Sequence, residues 1–249
     1  MRVVHQAVQN RVGIGRIPDY LMMPQMLTGE SLRSGSLIRI TRFMAVACRS
    51  AIAARAAVRT VRDYEQAGVA AIHIEDQLSP KRCGHLDDKQ IVPREDWIAK
   101  IRAAAAARRD PDFLIIARTD SRAVAGFEEA ISRANEALAN GAGMAFVEAP
   151  RTLEELAAVP KQVNGSCLLN VVWGGKTPML DMTRAAALGF KLAIVPALLL
   201  KASIGACDDA LAELRATGAY PPPPGGMTVR DVFDRAGGRD WDALRIRFR

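Results

Sequence analysis

A thiol set between two cations and a Gly-His pair occurs once in the chain, at Lys81-Arg-Cys-Gly-His85. Positive neighbours favour the thiolate and ready the group for proton transfer or nucleophilic attack. Cysteine is more often a small buried apolar residue. Cys83, however, follows an apolar run in a polar stretch, where packing is least expected, so it is read as functional. His73 and Glu75 stand two apart in Ala71-Ile-His-Ile-Glu75. On a strand they share one face, opposite Ile72 and Ile74. A carboxylate at a strand end suits Mg2+, and it equally suits an internal ion pair with Arg118; spacing leaves both open. The planar fork of Arg118 matches a substrate carboxylate, or a salt bridge to Asp120 or Glu148. Asn170 follows two leucines inside an apolar run, where an amide is costly to bury without a partner. His5 and the helix charges read as solvated surface, and Cys48, Cys167 and Cys207 as packing.

The elements that must position these residues are legible from residue 56 onward. Five apolar runs, at 70–76, 113–120, 144–150, 167–172 and 191–196, each end in polar residues. Runs of this kind read as strands buried on both faces, as in a parallel sheet. Amphipathic helical stretches alternate with them at about 56–67, 94–109, 126–140, 152–163, 180–188 and 198–216. Strand–helix alternation predicts a doubly wound sheet or a (β/α)₈ barrel. No G-x-G-x-x-G follows a strand, so the dinucleotide fingerprint is missing. Polar residues instead gather at strand C-terminal ends (Glu75, Asp76, Arg118, Asp120, Glu148, Asn170), which is the catalytic face of a barrel. The fold class is therefore α/β, a (β/α)₈ TIM barrel short of strands at its N-terminal side. Only Ser36-Leu-Ile-Arg-Ile-Thr41 reads as a strand before residue 56.

Three segments follow: a basic N-terminal part over 1–55, barrel elements over 56–220, and a Pro-rich spacer with C-terminal helices over 221–249. After Pro221-Pro-Pro-Pro-Gly-Gly, Thr228 is placed to cap a helix reaching Phe233, and Trp241–Phe248 forms another. That appendage carries Phe233, Trp241, Leu244 and Phe248 and needs a surface to cover.

With 249 residues, 49% of them hydrophobic and 24% charged, the chain has ample material for a core and is not disordered. Four separated cysteines without a C-x-x-C pair argue against a zinc ribbon or disulfide framework and for a reducing compartment. No run of about 18 uncharged apolar residues predicts a membrane span, and Arg11 and Arg16 interrupt any signal-like apolar region. A cytoplasmic protein is expected, with no membrane partner. The formal charge of +7 comes entirely from residues 1–60, which hold nine Arg against Asp19 and Glu30. Little aromatic residue is interleaved there, so no nucleic-acid partner is expected.

The segments "AGVAAIHIEDQLSPKRCGH", "DPDFLIIARTDSRAV", "FVEAP" and "NVVWGGKTP" closely resemble the isocitrate lyase / phosphoenolpyruvate mutase superfamily. The nearest likeness is to its methylisocitrate lyase and 2,3-dimethylmalate lyase branch. The K-[KR]-C-G-H loop is the most specific element, and the resemblance runs from about Ala56 to the end. It implies a barrel that uses Mg2+ to cleave or rearrange a bond beside a 2-oxo or 2-hydroxy carboxylate. For a lyase, a 2-hydroxy acid gives pyruvate or a related 2-oxo acid, and the loop cysteine protonates the departing carboxylate fragment. On that basis Cys83 is the general acid, Gly84 and His85 meet a substrate carboxylate, Arg118 binds the same anion, Glu148 and Asn170 line the pocket, and Glu75 is a metal-shell carboxylate. The alternative chemistry is that of a carboxyphosphonoenolpyruvate- or phosphonopyruvate-type mutase. The resemblance also implies a homo-oligomer, a tetramer or dimer, in which the last helix is exchanged between barrels.

Two departures bear on activity. Val195-Pro-Ala-Leu-Leu-Leu-Lys201 places Leu198 and Lys201 where the lyase pattern has serine and arginine, which predicts a different, less anionic far end of the substrate. The family's S-G-G-like turn and D-x-D metal motif do not occur in residues 1–58, which predicts weak Mg2+ binding and admits a catalytically inactive member. A shifted reading frame upstream of about residue 55 would account for the Arg-rich, acid-poor start. The hypothesis fails if the underlying DNA gives no family-like sequence in another frame.

Overall fold

The computed structural model describes residues 2–4, 45–46 and 50–248. Seven parallel strands are seen: β1 (Arg2–Val4), β2 (Ala45–Val46), β3 (Ala71–Glu75), β4 (Leu114–Thr119), β5 (Met144–Val147), β6 (Leu168–Asn170) and β7 (Leu192–Ile194). They pair in the orders β2-β3-β4-β5 and β6-β7-β1, and a parallel bridge between Ala145 and Cys167 joins the two groups. β1 lies beside β7, as the first strand of a barrel lies beside its last. No pairing links β1 to β2 among the described residues, so the barrel is not closed there. The expected strand at 36–41 lies outside the described residues. The strands seen before residue 56 are instead three and two residues long, too short to leave an apolar run.

Helices fill the crossovers: α1 (Ser50–Gln66), α2 (Arg94–Ala107), α3 (Phe127–Ala139), α4 (Leu153–Gln162) and α5 (Met182–Leu188). Local chemistry sets their ends. Thr152 accepts the Glu155 N–H at 3.2 Å to start α4, and Asp181 accepts the Arg184 N–H at 2.8 Å to start α5. Gly189, at φ 110°, ends α5 in the left-handed conformation that a side chain disfavours.

Strand alternation sorts the core into layers. Ile72, Ile74, Ile115 and Ala117 pack outward on Val61 of α1 and on Trp97 and Ile101 of α2. Ala145, Val147 and Leu169 pack on Ile131 of α3 and on Leu156 and Val159 of α4. The alternate positions, Ala71, Ile116, Met144, Phe146, Leu168, Leu192 and Ile194, form a separate cluster drawn from strands alone, the inside of the sheet. Each fully buried Ile, Leu or Phe contributes about 1.5–3 kcal/mol. His73 stacks on Phe146 with centroids 6.0 Å apart, so the expected shared face of His73 and Glu75 is the inner one.

The chain divides into two compact units, Met1–Leu198 and Leu199–Arg249. The second holds most of α6 (Leu198–Thr217), then α7 (Val229–Arg235) and α8 (Gly238–Arg247). Thr228 and Asp231 form a reciprocal capping box at the start of α7. Phe233, Trp241 and Phe248 are all exposed. Cys207, expected to pack, is exposed on α6, because no described residue covers that face; Cys167, just before β6, is buried as expected, and Cys48 lies outside the described residues.

Candidate active site at the strand ends

Glu75, Arg118, Glu148 and Asn170 continue the inner register of β3 to β6 by one step, so the apolar inside ends in a polar cap. Glu75 lies opposite Arg118, and Arg118 opposite Phe146, in neighbouring strands. The Arg118 guanidinium rests 5.0 Å from the centre of the Phe146 ring. Its Nε lies 2.9 Å from Asp120 Oδ2 and 3.4 Å from Glu75 Oε2, while Nη2 reaches Glu148 Oε2 at 3.6 Å. Burial alone would lower the Arg118 pKa, but the Glu148, Asp120 and Glu75 carboxylates outweigh it and hold the group well above its ordinary value. Asp120 is held below the ordinary value, because Arg118 outweighs the effect of burial. Burial raises Glu148 against the pull of Arg118.

The loop after β3 supplies the remaining groups. Its base is closed by Leu78 N–H on Gln90 O and Val92 N–H on Asp76 O, both at 2.8 Å. Two buried side chains hold its tip. Gln77 bonds both the carbonyl and the N–H of Arg82 at 2.9 Å, and Lys89 donates to the carbonyls of Gly84 and Leu86. Gly84 is thereby pressed on Glu148, and a Cβ there would overlap the Glu148 side chain. His85 turns inward, with Nε2 at 3.2 Å from Glu148 Oε1 and Nδ1 accepting the Lys176 N–H at 3.1 Å. Asn170 Nδ2 donates to both Glu148 oxygens at 3.3 Å. Burial, then Arg118 and Lys89, lowers the His85 pKa. Cys83 is exposed on the same loop, two residues from His85.

The structure thus brings Glu75, His85, Arg118, Glu148 and Asn170 into one contact network, with Gly84 against Glu148 and Cys83 at the solvent side. Both Glu75 oxygens engage Lys81 Nζ, at 2.9 and 3.0 Å. Glu75 is therefore an ion-pair partner here, of Lys81 and of Arg118. No group of three His, Cys, Asp or Glu residues able to hold a metal ion occurs among the described residues. This donor set does not by itself fit Mg2+, which needs more oxygen ligands than one cation-paired carboxylate offers.

Residues that sequence reasoning left without a role lie just beneath. Asp76 accepts from Thr119 Oγ1 at 2.7 Å, from Asp120 N–H at 2.8 Å and from Arg133 Nη1 at 3.2 Å. Burial still pushes its carboxyl up to about 6. Arg133 also donates to Val92 O at 3.1 Å, tying α3 to the loop base. Arg133 and Lys100 are both buried, contrary to the reading of helix charges as solvated surface. The missed signal is spacing. Arg133 lies with Ala130, Ala134 and Ala137, and Lys100 with Trp97, Ile101 and Ala104, at the i, i+3, i+4, i+7 positions of a buried face.

Comparison with known proteins agrees with this architecture. The sequence profile of the phosphoenolpyruvate phosphomutase family matches residues 48–215. The 2,3-dimethylmalate lyase of Eubacterium barkeri is 42% identical over 157 residues, covering 63% of this chain and 53% of that protein. The 2-methylisocitrate lyase of Aeropyrum pernix is 41% identical over 177 residues, covering 71% and 54%. Among solved structures, an oxaloacetate acetylhydrolase in complex with the inhibitor 3,3-difluorooxalacetate superposes with a TM-score of 0.75 at 34% identity, covering 81% of this chain and 68% of that one. A crystal structure of 2,3-dimethylmalate lyase superposes with a TM-score of 0.69 at 35% identity, covering 76% and 63%. The chain spans about half the length of the curated relatives it matches. An open parallel barrel with its polar network at the strand ends, and a profile match over two thirds of its length, establish that the chain belongs to the phosphoenolpyruvate phosphomutase family, within the PEP mutase/isocitrate lyase superfamily.

Proposed function

We propose that the chain carries the carboxylate-binding and proton-donating part of a carbon–carbon lyase, one that splits a 2-hydroxy carboxylic acid into a 2-oxo acid, such as pyruvate, and a second carboxylate. The observation that carries this reading is the convergence of Arg118, His85 and Asn170 on Glu148 at three neighbouring strand ends, below the loop that bears Cys83. Arg118 offers a charged fork, and His85 and the Asn170 amide offer donors, the set that a small carboxylate needs. Cleavage leaves the bonding electrons on the carbon beside the departing carboxylate, while the hydroxyl gives up its proton to solvent water and its carbon becomes the carbonyl of the 2-oxo acid. That carbanion needs a proton, and the Cys83 thiol, exposed on the adjoining loop, is the donor. Mg2+ would polarise the 2-hydroxy carboxylate when bound, but the described donors do not by themselves fit it. Location in the cytoplasm, and assembly into a tetramer or dimer through the exposed apolar helices α6 to α8, belong to the same reading, as does the division into a segment over 1–55, barrel elements over 56–220 and an appendage over 221–249.

A second reading, a catalytically silent member, is favoured by one observation: Glu75 is neutralised by Lys81 and Arg118. A panel of 2,3-dimethylmalate, 2-methylisocitrate, oxaloacetate and phosphonopyruvate, each with and without Mg2+ and followed by NMR, separates the possibilities. A 2-oxo acid from the first two supports the lyase. Turnover of phosphonopyruvate alone favours phosphonate chemistry. Binding of oxalate without any turnover identifies the silent member.

A further inference from the structure

We infer that Gly175 and Lys176, on the loop between β6 and α5, are positioning residues that hold His85 as its Nε2–H tautomer against Glu148. Lys176 N–H points at His85 Nδ1 across 3.1 Å. A ring nitrogen that accepts a hydrogen bond carries no proton, so in a neutral imidazole the proton is on Nε2. Nε2 lies 3.2 Å from Glu148 Oε1, an acceptor when ionised. Asn170 Nδ2 lies 3.4 Å from the same ring nitrogen but has both Glu148 oxygens as acceptors, so it does not compete for a lone pair on Nε2.

The fit around the ring is close. A Cβ on Gly175 would stand 2.8 Å from His85 Nδ1, 3.0 Å from its Cε1 and 3.1 Å from Val172 O. Only a residue without a side chain lets the imidazole lie along this backbone. The Lys176 ammonium pairs in addition with Asp87, two residues beyond His85. One residue thus ties the loop after β6 to the loop after β3 through its backbone and its side chain. Burial, with Arg118 and Lys89, disfavours the imidazolium and so preserves the acceptor on Nδ1. The functional consequence rests on the lyase reading: His85 presents a donor to the site, suited to an anion, and from this position it is not a base.

The chain has only three histidines, His5, His73 and His85, so imidazole 15N NMR reads the tautomer directly. Two-bond 1H–15N spectra of the whole chain at neutral pH are expected to show an unprotonated Nδ1 and a protonated Nε2 for His85, identified by the signals lost in His85→Gln. Lys176→Ala keeps the backbone N–H and is expected to keep this pattern. Gly175→Ala is expected to abolish it and to lower kcat/KM by about 100-fold, the cost of misplacing a site group by an ångström. A protonated Nδ1 in the wild-type chain overturns the proposal, as does an unchanged pattern in Gly175→Ala. If that variant does not fold, the wild-type and Lys176→Ala spectra still decide. The expected spectrum without turnover would count against the lyase alone, and turnover with a protonated Nδ1 against the positioning role alone.

Discussion

Arg118 and Glu75 face each other in register on neighbouring strands, and their side chains meet at 3.4 Å although 43 positions separate them in sequence. This pairing sets the charge balance of the site. Arg118 is shared among Glu75, Asp120 and Glu148, so an incoming carboxylate competes with groups already in place.

Replacing Arg118 removes the cation common to three buried carboxylates. Arg118→Met is expected to destabilise the chain by about 3–5 kcal/mol, the usual cost of breaking a buried pair by removing one partner. Arg118→Lys keeps the charge and loses the fork, so it is expected to be less destabilising yet still to weaken oxalate binding. Urea unfolding and calorimetry check the two effects separately.

Arg133 holds Asp76 and the loop base from α3. Arg133→Met leaves Asp76 buried without its cation, and a loss of about 3–5 kcal/mol in unfolding free energy is expected. A change within about 0.5 kcal/mol, typical of surface positions, would show that Arg133 is not buried in solution.

Acid sensitivity follows from the imidazoles. Burial, then Arg118 and Lys81, holds His73 well below the ordinary 6.5, and His85 is lowered as well. A group whose folded pKa is depressed adds stability that is present above its unfolded pKa and lost as pH falls through the folded one. Each unit by which pH falls while the folded imidazole stays neutral and the unfolded one is charged removes about 1.4 kcal/mol of stability. Asp76 acts in the opposite sense: its carboxyl is raised to about 6 from 3.8, so its contribution falls as pH rises through that interval. The comparison that isolates the imidazole is wild type against His73→Gln. On going from pH 7 to pH 5 the melting temperature of the wild type is expected to fall more steeply, and parallel curves would contradict the assignment.

Thiol accessibility separates the cysteines. Cys83 and Cys207 are exposed, whereas Cys167 is buried and its pKa is pushed up to about 11 by burial. Iodoacetamide at neutral pH is expected to label Cys83 in the native chain and to reach Cys167 only on unfolding, as read by peptide mass spectrometry. Rapid native labelling of Cys167 would contradict its packing beside Ala145 at the start of β6.

What the sequence revealed followed the length of its patterns. β3 to β7 leave apolar runs, and the polar residues at the ends of β3 to β6 meet in one contact network. β1 and β2 are three and two residues long, below the span at which a strand period can be recognised. Cys83 and His85 are marked in the sequence by their loop motif. Lys176, which donates to His85 from 91 positions away, has no local signature beyond the glycines before it. The competition between metal and ion pair at Glu75 could not be settled by spacing, since it depends on where Lys81 folds back. Arg133 and Lys100 show that a charge on the apolar stripe of a helix should be read as buried before it is read as solvated.

The central claim is that the strand-end network serves carbon–carbon cleavage with Cys83 as proton donor. It is tested most directly by the rate of 2-oxo acid release from 2,3-dimethylmalate and 2-methylisocitrate in the presence of Mg2+, for wild type and Cys83→Ser in parallel. The account predicts release by the wild type and a loss of about 100-fold or more in Cys83→Ser, the contribution expected of a positioned general acid. No release by a folded wild-type chain that still binds oxalate would contradict it, as would an equal rate in the serine variant.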